Sequence, residues 1–179
     1  LYQKNYSNEK IMQTLKGAAG TTVDMTLYRK SEDKVFQLEM QRGKVPLASV
    51  ESYYLIDKTI GYLKINRFAE TTFEEFDDAM EELLSMGMEK LILDLRSNPG
   101  GYLQPAKQIS NAFLKKNQTI VVTQSNGGDD EITMAEGDGK FQEGDLIVLV
   151  NEQSASASEI VAGAIQDNDR GWIMGRRTF

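Results

Sequence analysis

The sequence predicts an α/β fold in which helices pack on a mixed, largely parallel β-sheet. From residue 45 onward, segments with strand and helix patterns alternate, which is typical of parallel strands joined by crossover helices. Two strand segments, residues 91–95 and 146–150, are short and largely aliphatic, as strands buried on both faces tend to be. Residues 1–43 predict one helix and two strands, and we expect them to form a small unit of their own.

The N-terminal segment predicts a helix followed by a β-hairpin. Ser7 marks the helix start, and three apolar residues at helical spacing follow it. Apolar residues alternate along 23–28 and, less regularly, along 35–40, and the charged residues 30–33 form the loop between them. Because a helix and two strands cannot bury a sizeable core, we expect part of this unit to lie outside the sequence.

Residues 44–179 predict the main domain. Its clearest helix has an apolar stripe from Phe76 to Leu84, a possible capping box of Thr72 with Glu75, and a terminating Gly87. The other predicted strands are 50–56, 60–65, 91–95, 120–123, 132–134, 146–150 and 171–175. Two further helices are predicted, one at about 105–116 and one that follows residues 151–160 and runs to about 167. Asn126 and Gly127 predict a turn.

Composition excludes several classes of function. The net charge of −7 argues against nucleic acid as a partner, and no apolar run is long enough to span a membrane. The 179 residues contain no cysteine and no histidine, which excludes thiol catalysis, disulfides, thiolate or imidazole metal sites and a Ser-His-Asp triad. We therefore expect no metal and no cofactor, and a nucleophilic serine would need another base, for which lysine is the usual substitute.

The most informative segment is Asn-Glu-Gln-Ser-Ala-Ser-Ala-Ser-Glu-Ile, residues 151–160. It joins the aliphatic strand 146–150 to a helical pattern, so its serines lie in a small-residue turn at a helix N-terminus. A serine there can cap the helix, the turn can bind an anion, or a hydroxyl can act as a nucleophile beside backbone amides that stabilise an oxyanion. Capping needs only one oxygen, and it leaves the run of alternating small residues unexplained.

A second loop, Asn-Pro-Gly-Gly at residues 98–101, follows the strand 91–95. In open α/β sheets, sites form beyond the carboxyl ends of the strands. If the strands 91–95 and 146–150 are neighbours, a carbonyl between the two loops would meet a hydroxyl on one side and glycine amides on the other. On its own, the Pro-Gly-Gly sequence indicates a simple turn.

These motifs resemble the signature segments of the C-terminal processing (tail-specific) proteases, the S41 serine peptidases. The resemblance is carried by residues 15–23, 60–68, 93–101, 150–160 and 175–179. It implies a Ser–Lys protease with a ClpP/crotonase-like core at residues 44–179. It also implies that residues 1–43 are the C-terminal half of a PDZ-like domain, which in the family recognises the C-terminus of the substrate.

The resemblance also assigns roles to residues. The nucleophile is Ser156, and the backbone N–H groups of Gly100 or Gly101 and of Ala157 make the oxyanion hole. Ser154 and Ser158 are expected to pack and cap, and Asp94 with Arg96 to brace a strand end.

The sequence departs from the family pattern at both ends. At the N-terminal end, the first half of the PDZ domain is not part of the sequence. In the family, Thr-Phe is followed by Gly-Lys-Gly, whose lysine is the general base, and here the sequence stops at Phe179. No internal lysine stands out by context, and Lys107, in the helix that follows the glycine loop, is expected to face solvent. We therefore expect a core truncated before its lysine, with little or no activity.

The resemblance also bears on substrates and location. The implied partners are proteins or peptides with exposed C-termini, and the implied location is the bacterial cell envelope or periplasm. The alternative is a non-catalytic relative that binds peptides or small apolar ligands.

Overall fold

A computed structural model of the protein describes residues 7–43, 48–124, 128 and 130–179. The chain divides into two compact units, Leu1–Leu47 and Ala48–Phe179. The predicted turn at Asn126 and Gly127 lies outside the described residues.

The N-terminal unit contains α1 (Asn8–Leu15), β1 (Thr22–Arg29) and β2 (Lys34–Gln41). The Ser7 hydroxyl accepts a hydrogen bond from the Lys10 N–H (3.2 Å), so Ser7 is the N-cap that the sequence predicts. The two strands form an antiparallel hairpin around residues 30–33. None of the described residues of this unit is fully buried.

The larger unit has the predicted α/β order. Its elements are β3 (Val50–Leu55), β4 (Ile60–Ile65), α2 (Thr72–Ser85), β5 (Lys90–Asp94), α3 (Leu103–Phe113), β6 (Thr119–Thr123), β7 (Glu131–Met134), β8 (Asp145–Val150), α4 (Ala157–Asp167) and β9 (Trp172–Gly175). Five strands form one sheet in the order β3-β4-β5-β8-β9, in which β3 is antiparallel to β4 and every other pair is parallel. The mixed, largely parallel sheet is therefore confirmed.

The hairpin of β6 and β7 forms a separate two-stranded sheet that contacts α3 and α4. Sequence patterns predicted both strands without indicating which sheet they join. None of the helices in the described ranges combines the length and the apolar character that crossing a bilayer requires.

Helix α2 ends as predicted but begins differently. Gly87 adopts φ 94°, and the Met88 N–H donates to the Leu83 carbonyl (3.0 Å), which completes a Schellman motif. The expected capping box of Thr72 with Glu75 is wrong, because Thr72 already lies in the helix and its hydroxyl accepts the Ala69 N–H. The Glu75 carboxylate instead accepts the N–H groups at the start of β3, and so ties the helix to the sheet.

The core lies between one face of the sheet and the helices. Buried residues alternate with less buried ones along β4, β5 and β8, which puts Leu63, Leu93 and Val148 on the covered face. Helix side chains complete this core: Phe76, Met80, Leu83, Ile109, Phe113, Val161 and Ile165. The packing holds the carboxyl ends of β5 and β8 side by side.

Candidate active site

Ser156 occupies a strained turn between β8 and α4. Its φ of 53° and ψ of −113° are unusual for a residue with a side chain, and such conformations cost on the order of 1–3 kcal/mol. Ser156 is the N-cap residue of α4, and its N–H donates to Glu159 Oε2 (2.8 Å). The side chain faces the Glu159 amide, as in a capping box, without closing a side-chain cap hydrogen bond. Ser156 thus combines capping geometry with exposure of the residue to solvent.

The other two serines of the turn are fully buried and hold it in place. The Ser154 hydroxyl donates to the Leu95 carbonyl (2.7 Å) and accepts the Asn151 N–H (3.0 Å). The Ser158 hydroxyl donates to the Asn98 carbonyl (3.0 Å). Of the three serines, Ser156 is therefore the one whose side chain is accessible from outside.

The diglycine loop lies directly against this turn. A Cβ placed on Gly100 would lie 2.6 Å from the Ala155 oxygen and 2.8 Å from Ser156 Cβ, so no larger residue fits there. A Cβ on Gly101 would overlap the Phe68 carbonyl, and both glycines adopt positive φ (93° and 144°). The structure thus brings together Gly100, Ser156 and Ala157, three of the four residues predicted for the site.

The two loops meet because β5 and β8 are parallel neighbours. Beyond the strand ends, the Ser97 N–H donates to Asn151 Oδ1 (2.8 Å), and Asn151 Nδ2 donates back to the Ser97 hydroxyl (3.2 Å). The Ala155 N–H also donates to the Asn98 carbonyl (3.1 Å). These bonds keep the glycine loop and the serine turn in register.

The backbone amides at the site differ in their availability. The Gly100 N–H donates to Asn98 Oδ1 (2.9 Å). Among the described residues, neither the Gly101 nor the Ala157 N–H has an acceptor. Ala157 is also the first residue of α4, where the helix dipole favours negative charge.

Asp94 and Arg96 form the brace that their position at a strand end predicts. Asp94 Oδ2 accepts hydrogen bonds from Arg96 Nη2 (2.6 Å) and from the Tyr62 hydroxyl (2.7 Å). Burial works to raise the pKa of Asp94, but the hydrogen bonds from Arg96 and Tyr62 outweigh it and lower that pKa. Burial and the hydrogen bond to Asp94 raise the pKa of Tyr62 to about 12.

The last residues of the chain run beside the serine turn. The Arg176 N–H donates to the Val150 carbonyl (3.2 Å), and the Phe179 N–H donates to the Ser154 carbonyl (3.0 Å). In the described part of this unit, no lysine side chain hydrogen-bonds to the turn, and no cluster of acidic residues there could hold a metal ion.

Asn98 and Asn151 stand in the sequence as parts of the two motifs, and no separate role was predicted for them. The structure shows that both side chains hold loops at the site. A signal was present, since an asparagine next to a tight glycine turn commonly bonds to nearby backbone.

Comparison with known proteins agrees with the fold and the motifs. The model of "Peptidase family S41" matches residues 59–179. A "Probable CtpA-like serine protease" of Staphylococcus haemolyticus is 36% identical over 173 residues, which are 96% of this chain and 34% of that protein. A protein of the same description from Staphylococcus aureus is 34% identical over 178 residues, 98% of this chain and 35% of its own length.

Among solved structures, the photosystem II D1 C-terminal processing protease superposes with a TM-score of 0.68 at 28% identity, over 91% of this chain and 45% of that protein. The chain spans about a third of the length of the curated relatives it matches. The family model covers more than half of the chain and its relatives are serine proteases, so the chain belongs to peptidase family S41.

Proposed function

We propose that this chain is the core of a Ser–Lys endopeptidase in which Ser156 is the nucleophile and the amides of Gly101 and Ala157 form the oxyanion hole. The observation that carries the proposal is the contact between a strained, exposed serine and a loop that only glycine can form. The Gly100 amide contributes less directly, because it is bound to Asn98.

The reaction follows from this arrangement. A base removes the Ser156 proton as Oγ attacks the carbonyl carbon of the substrate peptide. The carbonyl oxygen becomes an oxyanion and accepts hydrogen bonds from the two free amides, a type of interaction worth about 10²–10³ in rate per donor. The proton passes to the leaving amine, the C–N bond breaks, and water hydrolyses the acyl-serine to regenerate the hydroxyl.

The proposed base is a lysine two positions beyond Phe179, where the family pattern has it. The Phe179 N–H bonds to the Ser154 carbonyl, two residues before the nucleophile. Since two extended residues span up to about 7 Å, a lysine there could reach the turn. It would accept a proton only if burial lowers its pKa to about 7–8.

The proposed substrates are proteins that expose an apolar C-terminal tail. The family relatives are proteases, and one of them is named for the C-terminal processing of another protein. We further propose that the N-terminal unit is part of a PDZ-like domain that binds such tails and that the protein works in the bacterial cell envelope.

The second candidate function is a non-catalytic peptide-binding module with the same fold. It is favoured by the structural role of Ser156, which is the N-cap residue of α4 and whose N–H donates to Glu159 Oε2 (2.8 Å). The two functions differ in whether Ser156 can form a covalent adduct.

The experiment measures hydrolysis of an unstructured peptide with an apolar C-terminus, together with labelling of Ser156 by a fluorophosphonate. Four proteins are compared: the 179-residue chain, the chain extended after Phe179 by Gly-Lys-Gly, a matched extension by Gly-Met-Gly, and Ser156→Ala in the lysine-extended chain. We expect little turnover from the unextended and methionine-extended chains. The lysine-extended chain should cleave and be labelled, and Ser156→Ala should abolish both.

The other outcomes separate the candidates. Turnover by the unextended chain that depends on Ser156 would show that another base acts. Peptide binding without any labelling of Ser156, in every form of the chain, would favour the binding module.

A further inference from the structure

Asn98 connects three parts of the candidate site through one side chain and one carbonyl. It is fully buried and follows the end of β5 by four residues. Its Nδ2 donates to the Ile65 carbonyl at the end of β4 (2.9 Å), and its Oδ1 accepts the Gly100 N–H (2.9 Å). Both ends of the side-chain amide are thus used, as burial of an amide requires.

The backbone carbonyl of Asn98 binds the serine turn from the other side. It accepts the Ala155 N–H (3.1 Å) and the Ser158 hydroxyl (3.0 Å), which belong to residues on either side of Ser156. Asn98 therefore fixes the glycine loop and the nucleophile turn relative to the same strand end.

The side chain also occupies one of the backbone amides at the site. Because Asn98 Oδ1 binds the Gly100 N–H, that amide points into the loop, whereas the Gly101 and Ala157 N–H groups have no acceptor in the described part of the chain. Gly100 itself contributes its lack of a side chain, which lets the loop touch Ser156.

We propose that Asn98 is a positioning residue that sequesters the Gly100 amide and so presents Gly101 and Ala157 as the donor pair beside Ser156. The catalytic part of this inference rests on the function proposed above. Its structural part is that the Gly100 amide is bound to Asn98 while the Gly101 amide has no acceptor in the described residues. This part can be tested without measuring activity.

The first measurement is backbone amide exchange by NMR in the wild-type chain. After correction for intrinsic rates, the Gly100 amide should be protected at least about tenfold more than those of Gly101 and Ala157, because a bonded buried amide exchanges only when the loop opens. Equal protection of Gly100 and Gly101 would overturn the inference whatever the activity of the protein.

The second measurement uses the variants Asn98→Ala and Asn98→Asp, with Asn111→Ala as a matched control. The Asn111 side chain is likewise bonded at both ends, to Asp138 and to the Glu136 N–H, but it belongs to α3 and contacts neither loop of the site. Asn98→Ala should reduce Gly100 protection at least about tenfold. Asn98→Asp keeps the acceptor for the Gly100 N–H but loses the donor to the Ile65 carbonyl, so Gly100 should retain more protection than in Asn98→Ala. The control should change neither site amide.

The kinetic readout uses the form of the chain that shows Ser156-dependent hydrolysis. Asn98→Ala should lower kcat by about 10–100-fold with KM within about twofold, because a misplaced donor pair weakens stabilisation of the transition state. Asn111→Ala should leave both unchanged. An unaltered kcat in a folded Asn98→Ala protein would overturn the positioning role. A lack of Ser156-dependent hydrolysis in every form would overturn the proposed function and this role together, while the exchange result would still decide the structural part.

Discussion

The two faces of the five-stranded sheet are made of similar residues but have different environments. On one face, Leu93 of β5 and Val148 of β8 lie under the helices and are 0% exposed. On the other face, the strand register aligns one apolar row across all five strands: Tyr54, Tyr62, Ile92, Ile147 and Trp172. Members of this row are partly or largely exposed, up to 72% for Trp172.

This difference shows that apolar character and burial are separate properties. The aliphatic pattern of β8 predicts burial on both faces, as is usual for parallel strands, but in the described residues only the helix-covered face is sealed. We infer that the helix-covered face supplies most of the stability that holds the glycine loop and the serine turn together.

The largest expected effect is a loss of stability in β5, where the neighbouring residues Leu93 and Ile92 lie on opposite faces of the sheet. Leu93→Ala should lower the free energy of unfolding by about 3 kcal/mol, because it leaves a cavity in a packed core. Ile92→Ala, on the open face, should cost only about 1 kcal/mol, since its side chain is only partly removed from water. Urea unfolding of both variants measures the comparison, and equal losses would contradict it.

The next prediction concerns Asp94, the last residue of β5, which forms an ion pair with Arg96. Asp94→Asn should destabilise the protein by about 1.5 kcal/mol at neutral pH, since it weakens the bond to Arg96, whose half-exposed guanidinium is screened by solvent. Because the folded-state pKa of Asp94 is lowered, its contribution is present above the ordinary value of 3.8 and is lost as the pH falls through the folded-state pKa. The gap in stability between wild type and Asp94→Asn should therefore close below about pH 4. A constant gap down to pH 2 would contradict the assignment.

A smaller effect on the free energy of unfolding is expected for Tyr62 at alkaline pH. Its pKa is raised to about 12 in the folded protein, so the unfolded chain loses this proton first and stability falls as the pH rises from about 10 to 12. Tyr62→Phe should remove part of that decline and should lower stability by about 1 kcal/mol at pH 8, because it deletes the hydrogen bond to the Asp94 carboxylate. Chemical unfolding at pH 8, 10 and 11 provides the measurement, and identical slopes for the two proteins would rule out the role of Tyr62.

The smallest effect is expected at the exposed edge of the row. Trp172→Ser should change the free energy of unfolding by less than about 0.5 kcal/mol, because the indole is mostly in water already. A loss above about 2 kcal/mol in the same urea assay would mean that this edge is packed in solution.

Most elements were predictable because their signals are local. The N-cap of Ser7, the end of α2 at Gly87 and the alternation along β1 depend on residues a few positions apart. The start of α2 was mispredicted because Glu75 binds the first amides of β3, some 25 residues earlier in the sequence. A local pattern cannot predict such a long-range bond.

By itself, the sequence determined the α/β class, the exclusion of histidine and cysteine chemistry, and the small-residue turn and glycine loop that resemble family S41. Only the tertiary structure decided that β5 and β8 are neighbours, that Ser156 is the exposed serine of its turn, and that Asn98 occupies the Gly100 amide. The physical reason is the separation, along the sequence, of the residues that interact. Turn and helix preferences arise within a few residues, whereas the pairing of two strands 55 residues apart depends on how the helices between them pack on the sheet.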